Sequence, residues 1–163
     1  MLKFGFGGSE GVIEKSCSYL SIKQGGKLKI KGRILIASGC SIRIEKNAQL
    51  LLGANFYMNK NGFIYCSKKI IIGDNVLIGW NVDIRDNDGH SVFYNDGTGN
   101  KTREISIGNH VWIASHSFIL KSSLADDIIV ASNSLVCKSI EDVSVLIGGH
   151  PAKILRHNVH WEL

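Results

Sequence analysis

Proline is nearly missing from this 163-residue chain: there is one, Pro151, against eighteen glycines. Many tight turns made without proline favour a repetitive β architecture over a helical bundle. No apolar run approaches the roughly 18 residues that cross a bilayer, so no membrane span is expected. The opening Met1-Leu2-Lys3-Phe4-Gly5 starts no apolar run of the signal-peptide kind, and the expected location is cytoplasmic. There is also no Cys-x-x-Cys pair. Cys17, Cys40, Cys66 and Cys137 lie far apart, which argues against a cysteine metal motif and reads as reduced, buried thiols. Blocks of like charge are absent too. The net charge of +5 is dispersed and no recognition fold is visible, so a nucleic-acid partner is not expected. With 44% hydrophobic and 20% charged residues, the chain can bury a core as a single domain over 1–163.

What is present is a period of six. Ile30, Ile36 and Ile42 are spaced by it, with Leu28, Ile34 and Cys40 two residues ahead. The same pairing returns as Ile72, Ile78 and Ile84 with Ile70, Val76 and Val82. It appears again as Ile107, Ile113 and Ile119 with Ile105, Val111 and Ser117. A helix needs a period near 3.6 and a lone strand needs 2, so six belongs to neither. It suits a triangular coil in which each short strand points two side chains inward and then turns. Gly73-Asp74-Asn75, Gly79-Trp80-Asn81 and Gly108-Asn109-His110 follow aliphatic residues and suit tight corners.

The rhythm has three departures. After Ile119 a shift of one residue restores it as Leu124, Val130 and Val136, with Ser122, Ile128 and Ser134 ahead, implying a one-residue deletion near Lys121-Ser122-Ser123. The register is expected to break between Ile44 and Ile70, and again between His90 and Ile105. The second gap reads as a loop at about 91–104 that leaves the coil, and loops on repeat folds often carry function. The residues from Pro151 onward, about 151–163, read as a short tail.

The chain resembles the hexapeptide-repeat acyltransferases, in the group of galactoside, maltose and polysaccharide O-acetyltransferases. The resemblance rests on Ile72-Gly73-Asp74-Asn75-Val76-Leu77-Ile78-Gly79, Asp86-Asn87-Asp88-Gly89-His90 and Ile107-Gly108-Asn109-His110-Val111-Trp112-Ile113. It continues through Ile119-Leu120-Lys121 and Gly149-His150-Pro151-Ala152-Lys153. It implies an all-β, left-handed parallel β-helix that assembles as a homotrimer, with acetyl-CoA as co-substrate in the groove between subunits. The handedness comes from the resemblance and runs against the usual rule for parallel crossovers.

The implied chemistry is acetyl transfer to a saccharide hydroxyl. An alcohol is a poor nucleophile while it keeps its proton, and a positioned base typically contributes about 10²–10⁴-fold. His90 occupies the position of the family's catalytic histidine, at the mouth of the loop. Asn81 matches an asparagine that helps hold the acceptor, and Asp86 or Asp88 is expected to orient His90 or bond sugar hydroxyls. Asp88 is expected on the inward stripe, where an unpaired carboxylate is costly. On the donor side the resemblance implies Trp112, Ala114, Ser132, Lys138, Lys153 and Arg156 as cofactor-binding positions. Cys137, Ala114 and His150 depart from the family's threonine, glycine and asparagine, and one extra residue lies between Lys138 and Pro151. Phe93 and Tyr94 on the loop could stack on a sugar ring. The spacing of His90, His110 and His116 does not match the zinc enzymes of this fold, and no metal is expected. The alternatives are N-acetylation of an amino sugar and, further off, a non-catalytic scaffold.

Overall fold

The computed structural model describes residues 1–7, 17–99 and 101–162. Its strands visit three parallel sheets in rotation up to β14 (Phe118–Leu120), beyond which single bridges stand in for strands on the third face. Face one stacks β1 (Leu2–Phe6), β4 (Ile34–Ala37), β7 (Phe56–Met58), β10 (Leu77–Ile78), β13 (Trp112–Ile113), β15 (Ile129–Val130) and β17 (Val145–Gly149). Face two stacks β2 (Tyr19–Ile22), β5 (Ser41–Ile44), β8 (Phe63–Cys66), β11 (Asp83–Arg85), β14 (Phe118–Leu120) and β16 (Leu135–Val136). Face three stacks β3 (Lys27–Ile30), β6 (Gln49–Leu52), β9 (Lys69–Ile72) and β12 (Ile105–Ile107), extended upward by single bridges from Ile107 to Leu124 and from Leu124 to Ile140. The result is a triangular coil whose core is one column of inward aliphatic side chains.

The inward stripes fall where the period of six puts them. Ile36, Ile42, Ile72, Ile78, Ile84, Ile107, Ile113 and Ile119 are all at most 2% exposed. Full burial of each such side chain is worth about 1.5–3 kcal/mol. Corner residues adopt left-handed backbone, with φ of 58° at Asn75, 54° at Asn81 and 54° at His110. Asparagine and histidine visit this region more readily than most residues with a side chain. At the corner between faces three and one, a Cβ on Gly53 would stand 2.3 Å from the Gly73 carbonyl, and one on Gly73 would stand 2.6 Å from that of Gly108. Glycine is what lets successive coils stack there.

The one-residue deletion is real. Trp112 pairs with Ile129 and Phe118 with Leu135, 17 residues on rather than the 18 of three full hexads. Leu124, Val130 and Val136 point inward, and Ser122 and Ser134 are fully buried beside them.

The register does break between Ile44 and Ile70, but the coil does not. The coil runs on through β6, β7 and β8, with Leu50, Leu52, Phe56, Met58, Ile64 and Cys66 in the core. Its coils are simply longer there: Ser41 pairs with Phe63, 22 residues on, and Tyr57 with Leu77, 20 residues on. Extra corner residues shift the phase of the period without interrupting the stack. The tail differs from expectation. Ala152–His157 forms β18, which lies antiparallel on β17 and ends face one. Of the cysteines, Cys40 and Cys66 are buried in the core but Cys17 and Cys137 are exposed, which corrects the expectation of four buried thiols.

Candidate active site

The corner between faces two and three organises the site. After β11 the chain makes one last inward residue, Asp86, which has no exposed surface. Its carboxylate accepts backbone N–H bonds from Ser67 (2.7 Å), Lys68 (2.7 Å) and Lys69 (3.0 Å) in the coil below. Burial pushes this carboxyl above its ordinary range, against the pull of those three N–H groups. Beyond Asp86 the chain leaves the coil and returns at β12. The feet of the loop are clasped: the Arg103 N–H donates to the Asp86 carbonyl at 3.0 Å, and the Asn87 amide donates to the Thr102 hydroxyl at 2.7 Å.

The inward carboxylate is therefore Asp86 and not Asp88. The chain has already left the coil at Asp88, which is exposed and forms an ion pair with the Lys121 ammonium of the coil above. A fully buried Asp86 bonded to corner backbone cannot accept bonds from sugar hydroxyls, so of the two aspartates only Asp88 is open to a ligand. His90 stands exposed on the outgoing limb of the loop, two residues after Asp88. The loop tip is a tight turn in which Tyr94 N–H donates to the Thr98 carbonyl (2.7 Å) and Gly97 N–H to the Tyr94 carbonyl (3.0 Å). Phe93 (80% exposed) and Tyr94 (57%) project from it into solvent.

Two cavities flank the loop's base. One, about 440 Å³, is lined by Gly99, Lys101, Thr102, Arg103, Lys121 and Cys137. The other, about 330 Å³, is lined by Arg43, Phe63, Tyr65, Arg85, Asp88 and Gly89. In the latter Phe63 and Tyr65 are outward neighbours on β8 with near-parallel rings 6.2 Å apart, and the Arg43 guanidinium lies 5.5 Å from the Tyr65 ring centre.

The remaining expected residues lie elsewhere. Asn81 and Ser132 are exposed at the corner between faces one and two. Trp112 is half-buried on face one, and Ala114 follows it with its N–H committed to the Val130 carbonyl at 2.9 Å. Lys153 and Arg156 are exposed on β18, beside face one. Lys138 is exposed at the same corner as the loop, one coil above Lys121. None of these three cations has an ion pair among the described residues.

Some residues of interest were not foreseen. Trp161, in the tail, is 7% exposed; its ring stacks on that of His110 at 4.4 Å and its N–H donates to the His110 carbonyl at 2.9 Å. His110 Nδ1 lies 2.8 Å from Asp127, and Trp112 packs 6.1 Å from Trp161. A tryptophan within a polar tail was the available signal. Lys101 and Arg103, on the returning limb of the loop, were passed over as part of a dispersed positive charge.

No family model matches this chain. Galactoside O-acetyltransferase of Escherichia coli K12 is 35% identical over 108 residues, covering 64% of this chain and 52% of that protein. Among solved structures, the polySia-specific acetyltransferase NeuO superposes with a TM-score of 0.75 at 20% identity, over 99% of this chain and 82% of that one. A galactoside acetyltransferase in complex with coenzyme A superposes with a TM-score of 0.60 at 25% identity, over 86% of this chain and 66% of that one. The chain has the fold of hexapeptide-repeat acetyltransferases, one of which, from Vibrio cholerae in complex with acetyl-coenzyme A, superposes with a TM-score of 0.54 at 23% identity over 85% of this chain and 70% of that one. It is a left-handed parallel β-helix. It spans about half the length of the curated relatives it matches.

Proposed function

We propose that this protein transfers an acetyl group from acetyl-CoA to a hydroxyl of a saccharide, with His90 as the base. The observation that carries the reading is the position of His90 at the clasped foot of the long loop that leaves the coil. Relatives named as galactoside and polysialic acid O-acetyltransferases supply the substrate class and point to surface polysaccharide as the setting. In the reaction His90 takes the hydroxyl proton as the acceptor oxygen bonds to the thioester carbon. The thiol of coenzyme A then leaves with a proton, and the ester product is released. The exposed cations Lys138, Lys153 and Arg156 suit the donor's phosphates, and Trp112 offers an aromatic wall beside it.

The fold also argues for more than one copy. In a triangular coil the corner carrying His90 and Lys138 lies opposite face one, which carries Trp112, Ala114, Lys153 and Arg156. One copy cannot bring these two groups together. A homotrimer, with each site built from the His90 corner of one copy and face one of its neighbour, solves this. Asn81, exposed at the corner between faces one and two, would contribute to holding the acceptor in such a groove. The chain is read as one domain over 1–163, working in the cytoplasm; no helix among the described residues is long and apolar enough to cross a membrane.

The test is to offer acetyl-CoA with a panel of galactosides, malto-oligosaccharides, oligosialic acid and amino sugars, following thiol release and analysing the products. O-acetyl product with a hydroxyl acceptor is expected. Release with amine acceptors alone would replace the reading with N-acetylation, and no release together with no CoA binding would sink it.

A further inference from the structure

The 440 Å³ cavity between the returning limb of the loop and the corner at Lys121 and Cys137 has three cationic side chains in its lining and no carboxylate. Lys121 is engaged with Asp88, but neither Lys101 nor Arg103 has an ion pair among the described residues. Both lie on the limb whose foot is fixed by two bonds, from the Asn87 amide to the Thr102 hydroxyl and from the Arg103 N–H to the Asp86 carbonyl. The limb that leaves that same clasp carries His90. A group held by Lys101 and Arg103 is thus held on the same clasped loop as the base.

We propose that this cavity is an anion subsite that holds a carboxylate or phosphate substituent of the acceptor saccharide, adjoining the hydroxyl to be acetylated. The inference rests on the acetyl-transfer reading and deepens it, since it makes the acceptor an acidic sugar. Fixed guanidinium and ammonium donors pair with planar or tetrahedral oxyanions through charge-assisted hydrogen bonds, which are stronger than neutral ones. The Thr102 hydroxyl, already accepting from Asn87, can still donate to such an oxygen. The competing occupant is the donor's nucleotide, because Lys138 follows Cys137. Against it, Lys101 and Arg103 stand on the loop that carries the base, and coenzyme A is titrated beside the acidic sugars to separate the two occupants.

Calorimetric titration of the intact chain decides the matter without requiring turnover. The probes are trigalacturonic acid, maltotriose, glucose 1-phosphate and coenzyme A. The wild type is compared with the double variant Lys101→Gln, Arg103→Gln and with Arg103→Lys. Both residues are exposed, so the fold should survive, and an unchanged melting temperature checks it. We expect an acidic probe to bind the wild type in a salt-sensitive way and the double variant at least about tenfold more weakly, with partial recovery in Arg103→Lys. Maltotriose and coenzyme A should be unaffected. Preference for trigalacturonate identifies a carboxylate, and preference for glucose 1-phosphate a phosphate. The proposal fails if neither acidic probe binds, if acidic and neutral sugars bind alike, or if the double variant loses coenzyme A instead. Failure of the wild type to bind coenzyme A counts against acetyl transfer and leaves the anion result to be read on its own.

Discussion

Replacing Asp86 with asparagine tests how the site is held. The carboxylate is fully buried, with one oxygen accepting from Ser67 N and the other from Lys68 N and Lys69 N. An amide keeps one accepting oxygen, which can serve at most two of these N–H groups. Its NH₂ must then face a third N–H, leaving a buried donor against a donor. Bonds to a charged group are worth about 1.5–3 kcal/mol, and an orphaned buried donor costs about 1–3 kcal/mol. Burial of the charge, which raises this carboxyl's pKa, offsets part of the loss. The expected cost is about 2 kcal/mol, or roughly 4–8 °C in melting temperature for a domain of this size. Asp86→Ala should cost more, about 3–5 kcal/mol, because all three N–H groups lose their partner. Asp88→Asn, which breaks an exposed ion pair, should cost at most about 1 kcal/mol. Thermal and urea unfolding followed by circular dichroism measures all three. If Asp86→Asn melts within a degree of wild type, or if Asp88→Asn is the more damaging, the assignment of the inward carboxylate is wrong.

Other expectations are as direct. His90→Ala should lower turnover by about 10²–10⁴-fold while the oligomeric mass stays that of the wild type, and unchanged turnover removes His90 from the mechanism. Ellman's reagent should titrate two thiols quickly, Cys17 and Cys137, and the buried Cys40 and Cys66 only on unfolding; three fast thiols would contradict the core packing. Burial pushes the Cys66 thiol from 9.0 up to about 12, so the unfolded chain loses that proton first. Stability should be fully retained below pH 9 and decline as pH rises from 9 towards 12, and Cys66→Ala should flatten that decline. Trp161→Ala should cost about 3 kcal/mol by losing both stacking and packing, and Trp161→Phe about 1 kcal/mol for the lost N–H bond to His110. Equal melting temperatures for the two would show that the ring is not what holds the tail.

Much of the coil is local and therefore legible. The aliphatic period survives because each strand repeats the same inward pair, and even the missing residue near Lys121 left a trace in the phase of Leu124, Val130 and Val136. The stretch from Ile44 to Ile70 loses the period because six assumes corners of constant length, and here they vary. Asp88 was placed inward by counting six from Val82, although the chain had already turned out of the coil. The loop announced itself by losing the rhythm, but its contents did not. That Lys101 and Arg103 meet Lys121 and Cys137, or that Trp161 returns to His110, depends on contacts between distant segments that no period encodes. The family motifs supplied His90, which on its own is one of six histidines.

The reversed strand at the end of face one matters beyond this one molecule. A stack of parallel strands is a ready template, since its last coil offers the same unpaired backbone row that the first coil of another copy could extend. Leu20, Ile22 and Ile30 at the lower end keep 41–46% exposure, so that end is not fully polar. β18 runs against the stack and carries Lys153 and Arg156 outward, replacing a parallel edge with an antiparallel, charged one. Among the described residues, end-to-end addition on face one would therefore meet an antiparallel, charged strand rather than an open parallel edge.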